Sequence, residues 1–119
     1  MIKEYPIEPV PAPRQVRSDK WRPRPGVKRY RAFRDAVRLA SVTVPESGAT
    51  VTFVLPMPVS WSLKKRRAMD GQPHRQTPDW DNLAKALLDA IYSDDAGVSD
   101  ITIRKRWGKH GAIIVETAE

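Results

Sequence analysis

The chain has 119 residues, no cysteine and two histidines, with 21 Lys+Arg against 14 Asp+Glu and a net charge of +7. That length fits one domain around one modest core. The lack of cysteine excludes disulfides and thiolate metal sites, two histidines argue against a His-rich zinc site, and the charge favours a polyanionic partner such as nucleic acid. No apolar run of 18 residues marks a membrane span. The N-terminus lacks an apolar leader, so a cytoplasmic protein with no membrane partner is expected.

A short strand is expected within Ile2–Ile7. Pro6, Pro9, Pro11, Pro13, Pro23 and Pro25 exclude helix and central strand from the rest of the stretch to Gly26, because proline lacks the backbone donor. Residues 9–26, with Arg14, Arg17, Lys20 and Arg22 around Trp21, read as an extended arm or loop. From Val27 onward, Tyr30, Phe33, Val37 and Ala40 recur at three- and four-residue spacing and predict an amphipathic helix. Arg31, Arg34 and Arg38 would form its wet face. Val51, Phe53 and Leu55 alternate within Thr50–Leu55, the period of a half-buried strand. Ser60 suits the N-cap of a short helix carrying Lys64, Lys65, Arg66 and Arg67. Gly71–Pro78 reads as loop. Leu83, Leu87 and Ile91 mark a helix from near Asp81 to near Tyr92. Ile101, Ile103, Lys105 and Trp107 share one face of a strand, Gly108–Gly111 is a turn, and Ala112–Glu116 is a last, buried strand. The order β-α-β-α-α-β-β predicts an α/β (α+β) fold, one domain in which a mixed sheet of about four strands packs against helices.

The charge is unevenly laid out. Residues 1–78 hold 16 Lys+Arg against 6 Asp+Glu, whereas residues 79–100 hold only Lys85 against 6 Asp. Aspartates clustered in a basic frame suit a hard cation facing a phosphate substrate. They also suit a helix flanked by turn-forming residues. Asp79 and Asp81 flank Trp80. If Trp80 turns into the core, both carboxylates point out together, and a divalent cation would resolve their repulsion. Lys85, one turn further, could neutralise a phosphate oxygen, and Asp94 and Asp95 could return a third carboxylate. Those are the parts of a metal-dependent nuclease. The same residues also read as an Asp81–Lys85 helix pair, dipole-complementing acids and a helix-ending turn. Lys64–Arg67, Arg75 and the Arg14–Arg38 region are candidate phosphate contacts, or else a solvated basic face. Trp21 is better placed than Trp61 to stack on an unpaired base; Trp61 is expected to pack under its helix.

The segment HRQTPDWDNLAKALLDAIYSDDAGVSDI resembles the RusA-type Holliday-junction resolvases of bacteria and prophages. Pro78-Asp79-Trp80-Asp81-Asn82-Leu83-Ala84-Lys85 matches the family's Pro-Asp-x-Asp-Asn-Leu-x-Lys run, and Asp94-Asp95 its aspartate pair after a helix. EPVPAPR, PMPVSWSLKKRR and KRWG resemble its flanking elements, so the resemblance covers about residues 4–116. It implies a homodimeric, Mg²⁺-dependent endonuclease, with Mn²⁺ as a substitute, that nicks a four-way DNA junction in paired symmetric fashion to leave 5′-phosphate and 3′-hydroxyl ends. Carried over by position, Asp79, Asp81 and Asp95 are the catalytic metal ligands and Lys85 the catalytic lysine. Asn82 and Asp94 would stand behind them, orienting a carboxylate or holding the loop, and Asp100 ranks last among the acids. Arg14, Arg17, Lys64, Lys65, Arg66, Arg67, His74 and Arg75 are the expected DNA contacts. Thr77 stands where members often have Lys, and Gly97 where a polar residue is usual. Two rival readings are a nuclease on forks or flaps and a non-catalytic branched-DNA-binding protein.

Overall fold

The computed structural model describes residues 1–13 and 20–118; Arg14 and Arg17 lie outside them. Among the described residues the elements are β1 (Ile2–Tyr5), α1 (Pro25–Leu39), β2 (Ser47–Pro56), α2 (Leu63–Met69), α3 (Trp80–Ile91), β3 (Asp100–Gly108) and β4 (Ala112–Thr117). Their order is the expected one, and they form an α+β fold on one mixed sheet.

The sheet runs β1-β4-β2-β3, with β4 antiparallel to both neighbours and β2 parallel to β3. The two central strands are the apolar ones, which explains the unbroken run at Ala112–Val115. Val51, Phe53 and Leu55 of β2 share a face with Ile113 and Val115 of β4, and α1 and α3 cover it. Val51, Phe53 and Ile113 retain 0% exposure. β3 is an edge strand, and the loop after α2 covers its second half. Gly71 N donates to Trp107 O at 2.8 Å, Trp107 N to Gln72 O at 3.0 Å and His74 N to Lys105 O at 3.1 Å.

Pro25 occupies the first turn of α1, where its missing N–H costs no helical bond. The apolar stripe of that helix is Val27, Tyr30, Phe33 and Val37. Ala40, expected in the stripe, is the exposed C-cap; Val42 and Val44 continue the core instead. The expected arginine face is only partly wet. Arg34 is half-buried, and Arg38 Nε donates to Ala90 O at 3.0 Å. That bond satisfies a carbonyl the last turn of α3 leaves without a helical partner, and it puts a cation at the negative end of the helix. The Tyr92 hydroxyl donates to Val44 O and ties the same end of α3 to the strand approach.

The N-cap of α2 is Ser62, not Ser60: Ser62 Oγ accepts from Lys65 N at 3.2 Å. Ser60 is consumed by a turn in which Trp61 N donates to Pro58 O at 3.1 Å. Trp61 precedes α2, lies against that helix beneath Lys65 and packs on Trp107, with ring centroids 4.7 Å apart. On α3, Leu83 and Leu87 enter the core while Ala86 and Ala90 let α1 come close. Leu87, 1% exposed, should therefore cost about 2–5 kcal/mol when cut to alanine. Leu39→Ala, at 90% exposure, should stay within about 0.5 kcal/mol of the parent. Urea unfolding of the two variants side by side checks both.

Candidate functional site

The start of α3 decides how the acidic segment is arranged. Asp79 is its N-cap, with φ −69° and ψ 147°, and Trp80 is the first helical residue. The helix thus begins one residue earlier than expected. The helical turn that begins at Trp80 breaks the period-two alternation of an extended chain. Asp79 and Asp81 accordingly face different clefts, where an extended chain would have aimed them together. Trp80 does not turn into the core. The inward stripe of α3 is filled by Leu83, Ala86, Leu87 and Ala90, and Trp80 at its margin is left 58% exposed.

Asp79 lines a cleft of about 750 Å³ together with Arg29, His74, Gln76, Asn82 and Trp107. Asp81 lines a second groove, of about 490 Å³, with Trp80, Lys85 and Asp95. Two of the three expected carboxylates and the expected lysine therefore share one surface. Asp79 and Asn82 stand on the far side of the same helical turn. Asp81 Oδ1 accepts from Asn82 N at 2.9 Å. Lys85 Nζ meets Asp89 Oδ2 at 3.4 Å rather than Asp81, an exposed helix pair of small energetic weight. Asp94 Oδ1 accepts from Ala96 N at 3.0 Å and so turns the loop, while Asp95 is half-buried and lines the groove.

The same loop is held from behind by the chain before β2. Glu46 O accepts from Ser99 N at 2.8 Å. A Cβ on Gly97 would fall 2.0 Å from Glu46 Oε2, so a larger residue there would push that carboxylate aside. Among the described residues, no three His, Asp or Glu side chains are grouped closely enough to hold a metal ion. The chemistry of the groove nonetheless fits a hard cation. Asp81 and Asp95 offer carboxylate oxygens on one surface, and a Mg²⁺ ion there would take one or two carboxylates and keep several waters.

Lys105, expected only on a strand face, has a structural task. Its Nζ donates to Gln76 O at 2.6 Å and to Pro78 O at 2.7 Å. Those carbonyls flank the cis Thr77–Pro78 peptide, and Pro78 immediately precedes Asp79. An ammonium from the edge strand thus fixes the chain's entry into α3. The available signal was a lysine set between Ile103 and Trp107 on an apolar face. Arg29, expected only as part of the basic Arg14–Arg38 region, is brought to the Asp79 cleft by tertiary folding.

His74 is buried at 7% exposure, its ring centroid 4.1 Å from that of Trp107, and its Nδ1 accepts from Gln76 N at 3.5 Å. Burial first, and then the positive charge of Lys105, lower its pKa below the ordinary 6.5. The ring is therefore neutral at pH 7. On the basic surface, Lys64, Arg67 and Arg75 are exposed. Lys65 Nζ sits 4.5 Å from the Trp61 ring centroid. Arg66 is engaged with Trp61 O at 3.3 Å and Pro58 O at 3.1 Å. Trp21 is 74% exposed, with Lys20 Nζ 5.1 Å from its ring centroid.

A family model described as endodeoxyribonuclease RusA matches residues 6–117. No curated protein matches the chain. No helix among the described residues is long and apolar enough to cross a membrane.

Removing the Lys105 charge should raise the His74 pKa while burial keeps it below 6.5. An NMR pH titration of the His74 ring in Lys105→Met reads this directly. The sign for stability follows from linkage: the unfolded chain takes up a proton below about pH 6.5 that the folded ring resists. The contribution is complete above that pH and shrinks as pH falls through it. His74→Gln should flatten this part of the stability profile; an unchanged slope between pH 5 and 7, roughly the histidine range, would contradict the assignment.

Proposed function

The chain belongs to the RusA family of endodeoxyribonucleases, and from that premise we propose that it resolves Holliday junctions as a Mg²⁺-dependent homodimer. The observation that carries the reading is the groove shared by Asp81, Lys85 and Asp95, in a chain whose net charge is +7. Asp81 and Asp95 would hold the ion; Asp79, which lines the neighbouring cleft, would have to turn toward them to be the third ligand that the family resemblance implies. When bound, Mg²⁺ (or Mn²⁺ in its place) would supply a Lewis acid to the scissile phosphate and make an attacking hydroxide accessible near neutral pH. Lys85 would offset the charge that builds on the phosphate oxygens. Asp94 would keep the loop turned so that Asp95 faces the groove, and Asn82 would steady the first turn beside Asp79.

The exposed Lys64, Arg67 and Arg75 would gather the phosphate backbone without reading its sequence. A homodimer places two identical sites about a two-fold axis. A four-way junction has nearly the same symmetry, so paired nicks in opposing strands follow from the match.

Cleavage of four-way, three-way and linear DNA with Mg²⁺ tests the reading. The wild type should nick the four-way junction in paired fashion. Groups behind a metal ligand typically cost about 10–100-fold when changed, so Asp79→Asn, Asp81→Asn and Asp95→Asn should each lose at least about 100-fold. Junction binding should persist in all three, since losing a carboxylate does not weaken attraction to phosphate, and affinity should fall linearly on a log–log plot against salt. Wild-type cleavage by a folded Asp81→Asn protein would overturn the proposal. A preference for three-way DNA would move the substrate to forks or flaps.

A further inference from the structure

We propose that the exposed indole of Trp80 is a stacking surface for an unpaired base at the branch point, beside the phosphate to be cut. Among the tryptophans, Trp61 and Trp107 pack on each other and Trp107 also on His74. Trp21 lies beneath Lys20. Trp80 has no ring or cation partner among the described residues, and it is 58% exposed. A large apolar ring left in water at a fixed place is an uncommon use of a tryptophan.

Its place is fixed by the fold. The ring belongs to the first residue of α3, whose first turn is closed by Leu83 N donating to Asp79 O at 3.2 Å. The following turn is anchored by Leu83 and Leu87 in the core. The indole therefore does not ride on a mobile loop. It borders the groove of Asp81, Lys85 and Asp95, whose remaining wall includes Ala84, Val98 and Ile101. The lining thus divides between charged side chains and apolar ones.

A nucleotide fits that division: its phosphate belongs with Lys85 and a cation, and its base with the ring and the apolar wall. A paired base in continuous duplex has both faces covered by neighbours and offers nothing to stack on. A base at a branch point can leave the stack at lower cost. Aromatic stacking is also tolerant of base identity, so Trp80 would select for strand branching and not for sequence. This inference rests on the nuclease reading above, because it takes the occupant of the groove to be DNA. The other occupant of an exposed apolar ring is a second copy of the chain, and the test separates the two.

The probes are a four-way junction and a matched linear duplex, each with 2-aminopurine at the corresponding position, titrated in EDTA with wild type, Trp80→Phe and Trp80→Ala. Trp80→Ala should bind the junction about ten-fold or more weakly, keep duplex affinity within about two-fold, and lose the change in 2-aminopurine emission. Trp80→Phe should retain most of both. Equal loss on junction and duplex, or an unchanged emission signal in Trp80→Ala, would overturn the proposal. So would sedimentation showing that Trp80→Ala splits a wild-type dimer, which would make the ring a subunit contact. A wild type with Trp80-dependent emission but no Mg²⁺-dependent cleavage would remove the nuclease reading and keep the stacking surface. A wild type that cleaves while Trp80→Ala behaves like it would do the reverse.

Discussion

The arrangement of this protein hangs on one half-buried ammonium. Lys105 reaches from an edge strand to the carbonyls of Gln76 and Pro78, and no carboxylate shares the contact among the described residues. Charge-assisted bonds of this kind are shorter and stronger than neutral ones. A cation taken from water needs such partners to offset its desolvation. The loop that receives it is already laced to the strand by backbone bonds from Gly71, Gln72 and His74. Together these ties define where α3 begins relative to the sheet, and hence where every side chain of its first turn points. The same charge helps keep His74 neutral against Trp107, so an uncharged ring fills the space behind the Asp79 cleft.

The helix start then partitions the acidic segment. With Asp79 as cap and Trp80 as first helical residue, Asp79 opens toward Arg29 and Asn82 while Asp81 opens toward Lys85 and Asp95. The end of the helix is held as firmly as its start, by Arg38 on Ala90 O and Tyr92 on Val44 O. A side-chain arrangement useful to chemistry is best carried by a packed element whose supporting contacts fix it. Leu83, Ala86, Leu87 and Ala90 serve that purpose by seating α3 on the sheet.

Much of the fold was legible because its elements repeat apolar residues at unmistakable periods. Val51, Phe53 and Leu55 alternate and Tyr30, Phe33 and Val37 recur helically, and these are buried as their periods demand, whereas Ala40, next in the helical set, is the exposed C-cap. What failed were places where the choice is tertiary. Ser60 and Ser62 are equivalent as caps until a turn claims one of them. Arg38 is a wet-face arginine until the end of α3 arrives beside it. The candidate site is legible as a motif that resembles the family's, whereas the spacing of its aspartates does not carry its geometry. The period-two expectation fails because the helix starts between Asp79 and Asp81, at Trp80, which stays at the surface and not in the core. Lys105 escaped because its partners are main-chain carbonyls, which carry no residue-type signal at all.

The partial cover on β3 has its own consequence. Residues 71–74 close the second half of that edge, through the bonds to Trp107 and Lys105 and the bridge between Pro73 and Arg106. The first half has β2 as its sole strand partner among the described residues, and its outward positions there are Asp100, Thr102 and Arg104, all exposed. An open edge with apolar side chains would template pairing between molecules and lead to aggregation. Polar and charged residues at alternate positions blunt that tendency. The fold therefore divides the duty of guarding its edge: a loop protects the stretch that positions the site, and side-chain chemistry keeps the remainder colloidally stable at the high local concentrations a polyanion would gather.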